Sequence, residues 1–302
     1  MGGEPFILGD WGGTRLRLWL RQAGTTIAAS EAPGLLVAQE NPPQILRGAI
    51  DRLGVAARSR RIVLCGMAGA RDGLAEAGYL ACPADVRAWV GASLETSFDE
   101  FSIAVLPGLS VRDRHGGPDV MRGEEAQVFG ALARQLAGDG RAVDMVLPGT
   151  HSKWVHVEDS RIAHFATCPT GELHARLLGS SMAPSERHED DRGHADGFSA
   201  GIDRAREGRP LMAALFEARA AQLLDRRSGD WSRGFLSGLL IGSEIAAMAP
   251  TPDRGPAPLL VGSADLVRLY RDAFARFGLD CPTADGESCV LAGLEIAHDQ
   301  LG

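Results

Sequence analysis

The sequence predicts an α/β protein of two similar domains, and three features carry that expectation. A strand–turn–strand unit opens the chain, a second opens its later half, and apolar runs that break at glycine and give way to helical periodicity follow each. At 302 residues the chain exceeds what one ordinary core holds. The restart in mid-chain suggests a duplicated architecture, with residues 1–130 as one domain and 131–302 as the other.

The first unit sets the pattern. Phe6-Ile7-Leu8 runs into Gly9-Asp10, breaks at Gly12-Gly13 and resumes as strict alternation. Leu16, Leu18 and Leu20 share one face, while Arg15, Arg17 and Trp19 share the other, the signature of a β-hairpin. Gly12 and Gly13 permit positive φ and carry no Cβ, so backbone N–H groups of the turn can close around an anion such as a phosphate. Asp10, ending the first strand, is an oxygen ligand beside that pocket and suits Mg2+ or one of its waters. An ordinary hairpin with a polar aspartate fits the same residues.

Composition narrows the classes. Hydrophobic residues make up 45% of the chain and charged residues 23%, the proportions of a soluble globular protein. The net charge of −8 leaves no basic surplus for phosphate polyanions, which argues against a general nucleic-acid or membrane-surface binder. No apolar run approaches the roughly 20 residues of a membrane span, and the N-terminus lacks the layout of a secretory signal. Five scattered cysteines, Cys65, Cys82, Cys168, Cys281 and Cys289, include no CxxC pair. Reduced thiols in a cytoplasm are expected, with neither a disulfide frame nor a zinc site.

Along the chain, Thr25–Ala32 reads as a third strand, and Asn41-Pro42-Pro43 opens a helix to about Leu53. Arg61–Cys65 is a buried strand delivering the loop Gly66-Met67-Ala68-Gly69-Ala70-Arg71 at its C-terminal edge, where sites of open α/β sheets collect. A helix over Asp85–Ser93, a strand over Ser102–Leu106 and a polar loop from Arg112 to Pro118 follow. The stretch Asp119–Leu132 begins a helix whose acidic first turn suits the helix dipole.

The second unit comprises Asp144–Leu147, the turn Pro148-Gly149-Thr150-His151-Ser152-Lys153 and the alternating run Trp154–Glu158, then a strand over Arg161–Ala166. Its turn carries hydroxyls and a lysine in place of a carboxylate, and two such hairpins suggest phosphate held between the copies. Thr170 is expected to N-cap a helix beginning Gly171-Glu172-Leu173. The charged run Glu186–His194 reads as a solvated loop, since His188 and His194 fit no compact zinc spacing. Helices are expected over Pro210–Arg227 and Gly234–Ala249, with Pro250–Pro258 as a connector. Leu259-Leu260-Val261 re-enters a core, and Gly262-Ser263-Ala264 starts a helix to Phe277. That strand–turn–helix can cover one face of a nucleotide or be a plain turn. Glu287–Leu301 is the final helix.

Together these segments resemble the actin/Hsp70/sugar-kinase superfamily, in which two ribonuclease-H-like domains close over ATP in an interdomain cleft. Within it the chain is similar to the 2-dehydro-3-deoxygalactonokinase family through five segments. These are Asp10-Trp11-Gly12-Gly13-Thr14; Gly66–Arg71 with Tyr79 and Cys82-Pro83; Pro118–Glu125; Leu147–Trp154; and Thr170–Leu173. The first is shared across the superfamily, whereas the third and fourth are specific. Ala70, Leu74 and Gly78 depart from the serine, tryptophan and proline usual in the family.

The resemblance implies a cytoplasmic, ATP- and Mg2+-dependent kinase acting on the terminal (C6) hydroxyl of 2-dehydro-3-deoxy-D-galactonate, or a close sugar acid, in galactonate catabolism. It assigns Asp10 to Mg2+, and Gly12, Gly13 and Thr14 to the β/γ-phosphates, with Arg15 within reach. Thr150, His151, Ser152 and Lys153 would grip the phosphates from the second domain, unless His151 or Lys153 faces solvent. Gly262, Ser263 and Ala264 are the adenosine candidates, and the last helix packs back toward the first domain. Glu124 or Glu125 would accept the proton of the attacking hydroxyl. Consecutive helical residues point about 100° apart, so one of the two faces the cleft; both also fit a purely dipolar role. Arg71, or alternatively Arg122, would meet the sugar-acid carboxylate. Tyr79 would contact the carbon chain or pack the loop, and Glu172 would bind hydroxyls or belong to the helix start. The partners are the sugar acid and ATP, with a homodimer left open. Two rival readings stand beside this one: an exopolyphosphatase-like phosphohydrolase, suggested by Arg122-Gly123-Glu124-Glu125-Ala126, and a non-catalytic nucleotide-gated binding protein.

Overall fold

The computed structural model describes residues 4–38, 41–54, 61–136, 142–183, 191–249 and 256–302. The chain divides into two units. One contains Met1–Val143, Val155–Phe165 and Asp285–Gly302, the other Asp144–Trp154 and Ala166–Ala284.

The first sheet is built from β1 (Phe6–Trp11), β2 (Arg15–Gln22), β3 (Thr25–Pro33), β4 (Arg61–Gly66), β6 (Leu94–Phe98) and β7 (Phe101–Val105), in the order β3-β2-β1-β4-β7-β6. The pairs β1–β2 and β2–β3 are antiparallel, whereas β1–β4 and β4–β7 are parallel. Central parallel strands are covered on both faces, so they read as continuous apolar runs; Ile7, Leu8, Ile62, Val63 and Leu64 are all fully buried. Helix α1 (Pro42–Arg52), capped by Asn41, presses Ile45, Leu46, Ala49 and Ile50 onto this core. Between β4 and β6 lie β5 (Tyr79–Ala81) and α2 (Val86–Gly91).

A small sheet, β5-β8-β9, joins β5 to β8 (Gly108–Arg112) and β9 (Pro118–Met121). It corrects the expectation that Asp119 begins a helix. Val111 pairs with Asp119 and Leu109 with Met121, and the chain turns at Gly123, whose φ of 110° a side chain would resist. Helix α3 therefore spans Glu124–Ala133.

The second sheet runs β12-β11-β10-β13-β14, from β10 (Ala142–Leu147), β11 (Ser152–Glu158), β12 (Arg161–Cys168), β13 (Leu259–Gly262) and β14 (Thr283–Asp285). Third, second, first, fourth, fifth is also the order of β3-β2-β1-β4-β7, so the duplication expected from the two hairpins is present in the topology. Val155–Phe165 clusters with the first unit, where Ile162 bridges to Ala84.

The helices of the second unit are α4 (Thr170–Leu177), α5 (Asp191–Arg206), α6 (Leu211–Leu215), α7 (Glu217–Leu224), α8 (Gly229–Met248) and α9 (Ala264–Arg276). Several boundaries differ from expectation. Asp191–His194, expected as loop, is the first turn of α5, while residues 186–190 of that run and most of the Pro250–Pro258 connector lie outside the described residues. Close packing explains the helix: a Cβ on Gly197 would stand 2.0 Å from the Trp231 carbonyl of α8, and one on Gly234 2.0 Å from that of His194. Helix α8 starts earlier than expected because Ser228 caps it by accepting from the Trp231 N–H at 3.1 Å. Thr170 is the first helical residue of α4, not its cap; Pro169 precedes it. The final helix, α10 (Gly286–Leu301), packs against α3 within the first unit. Among the described residues no helix is long and apolar enough to cross a membrane.

Candidate active site

In the first unit, parallel pairing aligns Asp10 with Cys65 at the C-terminal ends of β1 and β4. One Asp10 oxygen, Oδ2, accepts from Arg17 Nη2 at 2.6 Å, and Oδ1 lies 3.8 Å from the Cys65 thiol. Arg17 also donates to Glu287 at 3.2 Å. Gly66, at φ 77°, lets the Trp11 backbone and Gly123 approach: a Cβ there would lie 2.4 Å from the Trp11 carbonyl, and one on Gly123 3.3 Å from the Gly66 Cα. This brings the start of α3 onto the end of the sheet. Burial first, then the charges of Asp10 and Glu125, push the Cys65 thiol well above its usual range. Asp10, Glu124 and Glu125 thus gather around one buried thiol.

The two glutamates differ in surroundings. Glu125 is fully buried with both oxygens accepting from the Gly123 N–H at 2.8 Å. Burial, and then the neighbouring Glu124 charge, raise its pKa to about 8. Glu124 is partly exposed, with Oε2 accepting from the Arg122 N–H at 3.1 Å.

The β1–β2 turn is closed by the Gly12 N–H donating to the Arg15 carbonyl at 2.8 Å. Gly12 and Gly13 do not use the positive φ open to them. Space is what Gly13 provides, since a Cβ would stand 2.9 Å from Leu36 Cδ1. Thr14 and Arg15 are exposed, Arg15 pairing with Glu31 at 3.3 Å.

The loop after β4 carries Arg71, which is exposed and holds no ion pair among the described residues. Tyr79 is 48% exposed, so it does not pack the loop from inside. The Arg122 guanidinium stacks 4.2 Å from its ring centroid and donates to the Gly78 carbonyl at 2.7 Å. Arg122 Nε and Nη1 are buried without an acceptor, Nη1 lying over Gly69.

In the second unit, α4 begins against the β10–β11 turn: the Glu172 N–H donates to the Thr150 carbonyl at 2.9 Å, and a Cβ on Gly171 would meet the Gly149 carbonyl at 2.4 Å. Thr150 is exposed, and so is His151, whose Nε2 donates to Glu172 at 2.8 Å. That bond is the main cause holding the Glu172 carboxyl below its usual range. Ser152 corrects the sequence reading. It is fully buried, with its hydroxyl 2.6 Å from that of Tyr270, so the hydroxyl is committed inside the unit. Lys153 is 5% exposed, donating to Thr167 at 2.7 Å, which rules out the solvent-facing alternative. Gly262 precedes Ser263 and Ala264, both exposed at the start of α9.

Sequence reasoning missed Glu244. This buried carboxylate accepts from Trp154 Nε1 at 2.7 Å, from the Tyr270 hydroxyl at 2.8 Å and from the Thr170 hydroxyl. Burial raises its pKa while those donors oppose the rise. A lone acid inside the apolar run Leu239-Leu240-Ile241-Gly242-Ser243-Glu244-Ile245 was the available signal. Arg17 was also missed, although alternation placed it on the polar face of β2.

A sequence model of the family described as 2-keto-3-deoxy-galactonokinase matches residues 10–297. A Rhizobium meliloti (strain 1021) protein described as a probable 2-dehydro-3-deoxygalactonokinase, DgoK1, is 39% identical over 296 residues, covering 95% of this chain and 94% of its own length. The Escherichia coli (strain K12) 2-dehydro-3-deoxygalactonokinase is 35% identical over 303 residues, 97% of each. A crystal structure of a Sinorhizobium meliloti protein described as a "putative 2-dehydro-3-deoxygalactonokinase" superposes with a TM-score of 0.85 at 36% identity, covering 97% of this chain and 95% of that one. None of these matches supports a phosphohydrolase or a non-catalytic binding protein. The chain belongs to the 2-keto-3-deoxy-galactonokinase family and is a kinase of the actin-like, sugar-kinase fold.

Proposed function

We propose that the protein transfers the γ-phosphoryl group of ATP to the C6 hydroxyl of 2-dehydro-3-deoxy-D-galactonate, in the cytoplasm. The observation that supports a phosphoryl-transfer centre most strongly is the gathering of Asp10, Glu124 and Glu125 around Cys65, beside the β1–β2 turn. Phosphoryl transfer needs positioning, charge neutralisation and a proton acceptor.

Mg2+ commonly takes one or two protein carboxylates and completes its shell with water and phosphate oxygens. Asp10 fits that role through Oδ1, whose neighbour is a weakly interacting thiol, while Oδ2 stays on Arg17. When bound, the ion neutralises phosphate charge. The N–H groups of Gly13 and Thr14 bind phosphate oxygens, with Arg15 beside them. From the second unit, Thr150, His151 and Lys153 are assigned to the phosphates and Gly262, Ser263 and Ala264 to adenosine.

Glu124 is assigned as proton acceptor, because reach precedes pKa in choosing a base and Glu125 is sealed from solvent. With a pKa of about 8, Glu125 stays largely protonated at neutral pH. Arg71, exposed and without an ion pair among the described residues, meets the sugar-acid carboxylate with its planar fork. Arg122 holds the loop through Gly78 and Tyr79, leaving the exposed Tyr79 ring to the carbon chain. Glu172 is assigned to substrate hydroxyls.

The test is incubation with Mg2+-ATP and a panel of sugar acids. ADP release that requires 2-dehydro-3-deoxy-D-galactonate, with the product phosphorus coupled to the C6 protons in NMR, is expected. Equal ADP release without an acceptor would refute transfer to a sugar.

A further inference from the structure

We propose that the Gly34–Ala38 turn is a positioning element that aims the N–H groups of Gly13 and Thr14 at phosphate. The inference rests on the reading of the β1–β2 turn as a phosphate site. The Leu36 N–H donates to the Gly13 carbonyl at 2.8 Å, and the Leu35 N–H to the Gly12 carbonyl at 3.3 Å. Among the described residues Cys82–Pro83 is the one cis peptide, so the Gly12–Gly13 and Gly13–Thr14 peptides are trans. In a trans peptide the C=O and N–H point in opposite directions. Fixing both carbonyls toward Leu35 and Leu36 therefore turns the N–H groups of Gly13 and Thr14 to the other side. Neither N–H has an acceptor among the described residues, which leaves two adjacent donors for an anion.

Gly34 is what permits the approach. A Cβ there would stand 2.3 Å from the Arg15 nitrogen, 2.5 Å from the Gly12 carbonyl oxygen and 2.5 Å from the Gly13 carbonyl carbon. All three are backbone atoms, so no side-chain rotation could relieve the clash. Burial holds the segment only at its edges, where Leu35 is part-buried and Ala38 packs on the first core; Leu36 is 75% and Val37 57% exposed. Its shape comes from the Val37 and Ala38 N–H groups donating to the Gly34 carbonyl at 3.2 and 3.0 Å. A turn that exposes Leu36 and Val37 while committing two N–H groups to the β1–β2 turn is built to orient backbone.

The test uses Gly34→Ala and Leu35→Pro. Leu35 follows Gly34 in the turn, a position proline fits, so the second variant removes one N–H and keeps the local shape. For each, the melting temperature, KM for ATP, KM for the sugar acid and the amide shifts of Gly13 and Thr14 on titration with Mg2+-ADP are measured. In the unmodified protein both amides should shift. Folded Gly34→Ala should raise KM for ATP by about tenfold or more, as small misplacements do, leave KM for the sugar acid within about twofold, and lose both shifts. Leu35→Pro should move the same quantities less. Unmodified KM for ATP and unmodified amide shifts in folded Gly34→Ala would overturn the inference while leaving the phosphate site intact. If Gly34→Ala does not fold, an unchanged KM for ATP in Leu35→Pro overturns it. Silent Gly13 and Thr14 amides in the unmodified protein at saturating Mg2+-ADP would instead refute the phosphate site, and the inference with it.

Discussion

Asp10 and Arg17 are cross-strand partners in β1 and β2, and their carboxylate and guanidinium meet at 2.6 Å. Both side chains are less than one-fifth exposed, at 16% and 18%, so solvent screens the pair less than it would a surface ion pair. The hairpin register thus fixes the orientation of the carboxylate before any ligand arrives.

Arg17→Gln should therefore reduce both stability and function. Losing a charged hydrogen bond in a part-buried site costs about 1.5–3 kcal/mol, readable as a lower urea midpoint at constant slope. A fall in kcat/KM for ATP should accompany it. An unchanged midpoint would show that the pair contributes nothing to the fold.

Glu244 ties β11, α4 and α9 to α8 through Trp154, Thr170 and Tyr270. Glu244→Ala strands three donors in the interior and should cost about 3–5 kcal/mol, the scale of breaking a buried polar network on one side. Glu244→Gln keeps an acceptor for Trp154 and should recover part of the loss. Equal unfolding midpoints for the two variants would contradict the hydrogen-bond account.

Arg71→Ala should raise KM for the sugar acid by about 10- to 100-fold, the scale of 1.4 to 2.8 kcal/mol, with kcat little changed, because a carboxylate remote from the reacting hydroxyl is bound alike in ground and transition states. Arg71→Lys should recover little, since an ammonium lacks the two-pronged geometry. If only Arg122 variants raise KM, the carboxylate contact belongs to Arg122.

The raised pKa of Glu125 also shapes stability. Its folded value of about 8 lies above the ordinary 4.5, so folding favours the protonated form. That contribution is complete below about pH 4.5 and is lost as pH rises through about 8. Chemical denaturation across this window should show the unmodified protein losing stability relative to Glu125→Gln as the pH rises. Parallel curves would place the Glu125 pKa near its ordinary value.

Much of the architecture was legible because local pattern and tertiary role agreed. Alternation at Leu16, Leu18 and Leu20 gave β2, and the run Arg61–Cys65 gave β4. The small sheet was not legible, because β5 and β9 are short and partly exposed and β5 pairs with the distant β8, Tyr79 opposite Gly108; Val120 is 44% exposed, so no apolar periodicity marked β9 as strand. The orientation of Ser152 and Lys153 was hidden for the opposite reason. Ser152, Lys153, Trp154 and Val155 are all buried, so the start of β11 is covered on both faces and the alternation begins only beyond Ser152 and Lys153. Glu244 draws its partners from three distant segments, which no local window contains. At the candidate site, the sequence marked Glu124 and Glu125 as a pair, but only packing distinguishes them.

That distinction is tested most directly by kcat for Glu124→Gln and Glu125→Gln, measured side by side at neutral pH with saturating Mg2+-ATP and sugar acid. General-base catalysis contributes about 10²- to 10⁴-fold, so Glu124→Gln should lose that much. Glu125→Gln, which mimics a carboxyl already protonated, should retain most of its rate. Full activity in Glu124→Gln, or a collapse confined to Glu125→Gln, would contradict the assignment of proton transfer to the partly exposed member of the pair.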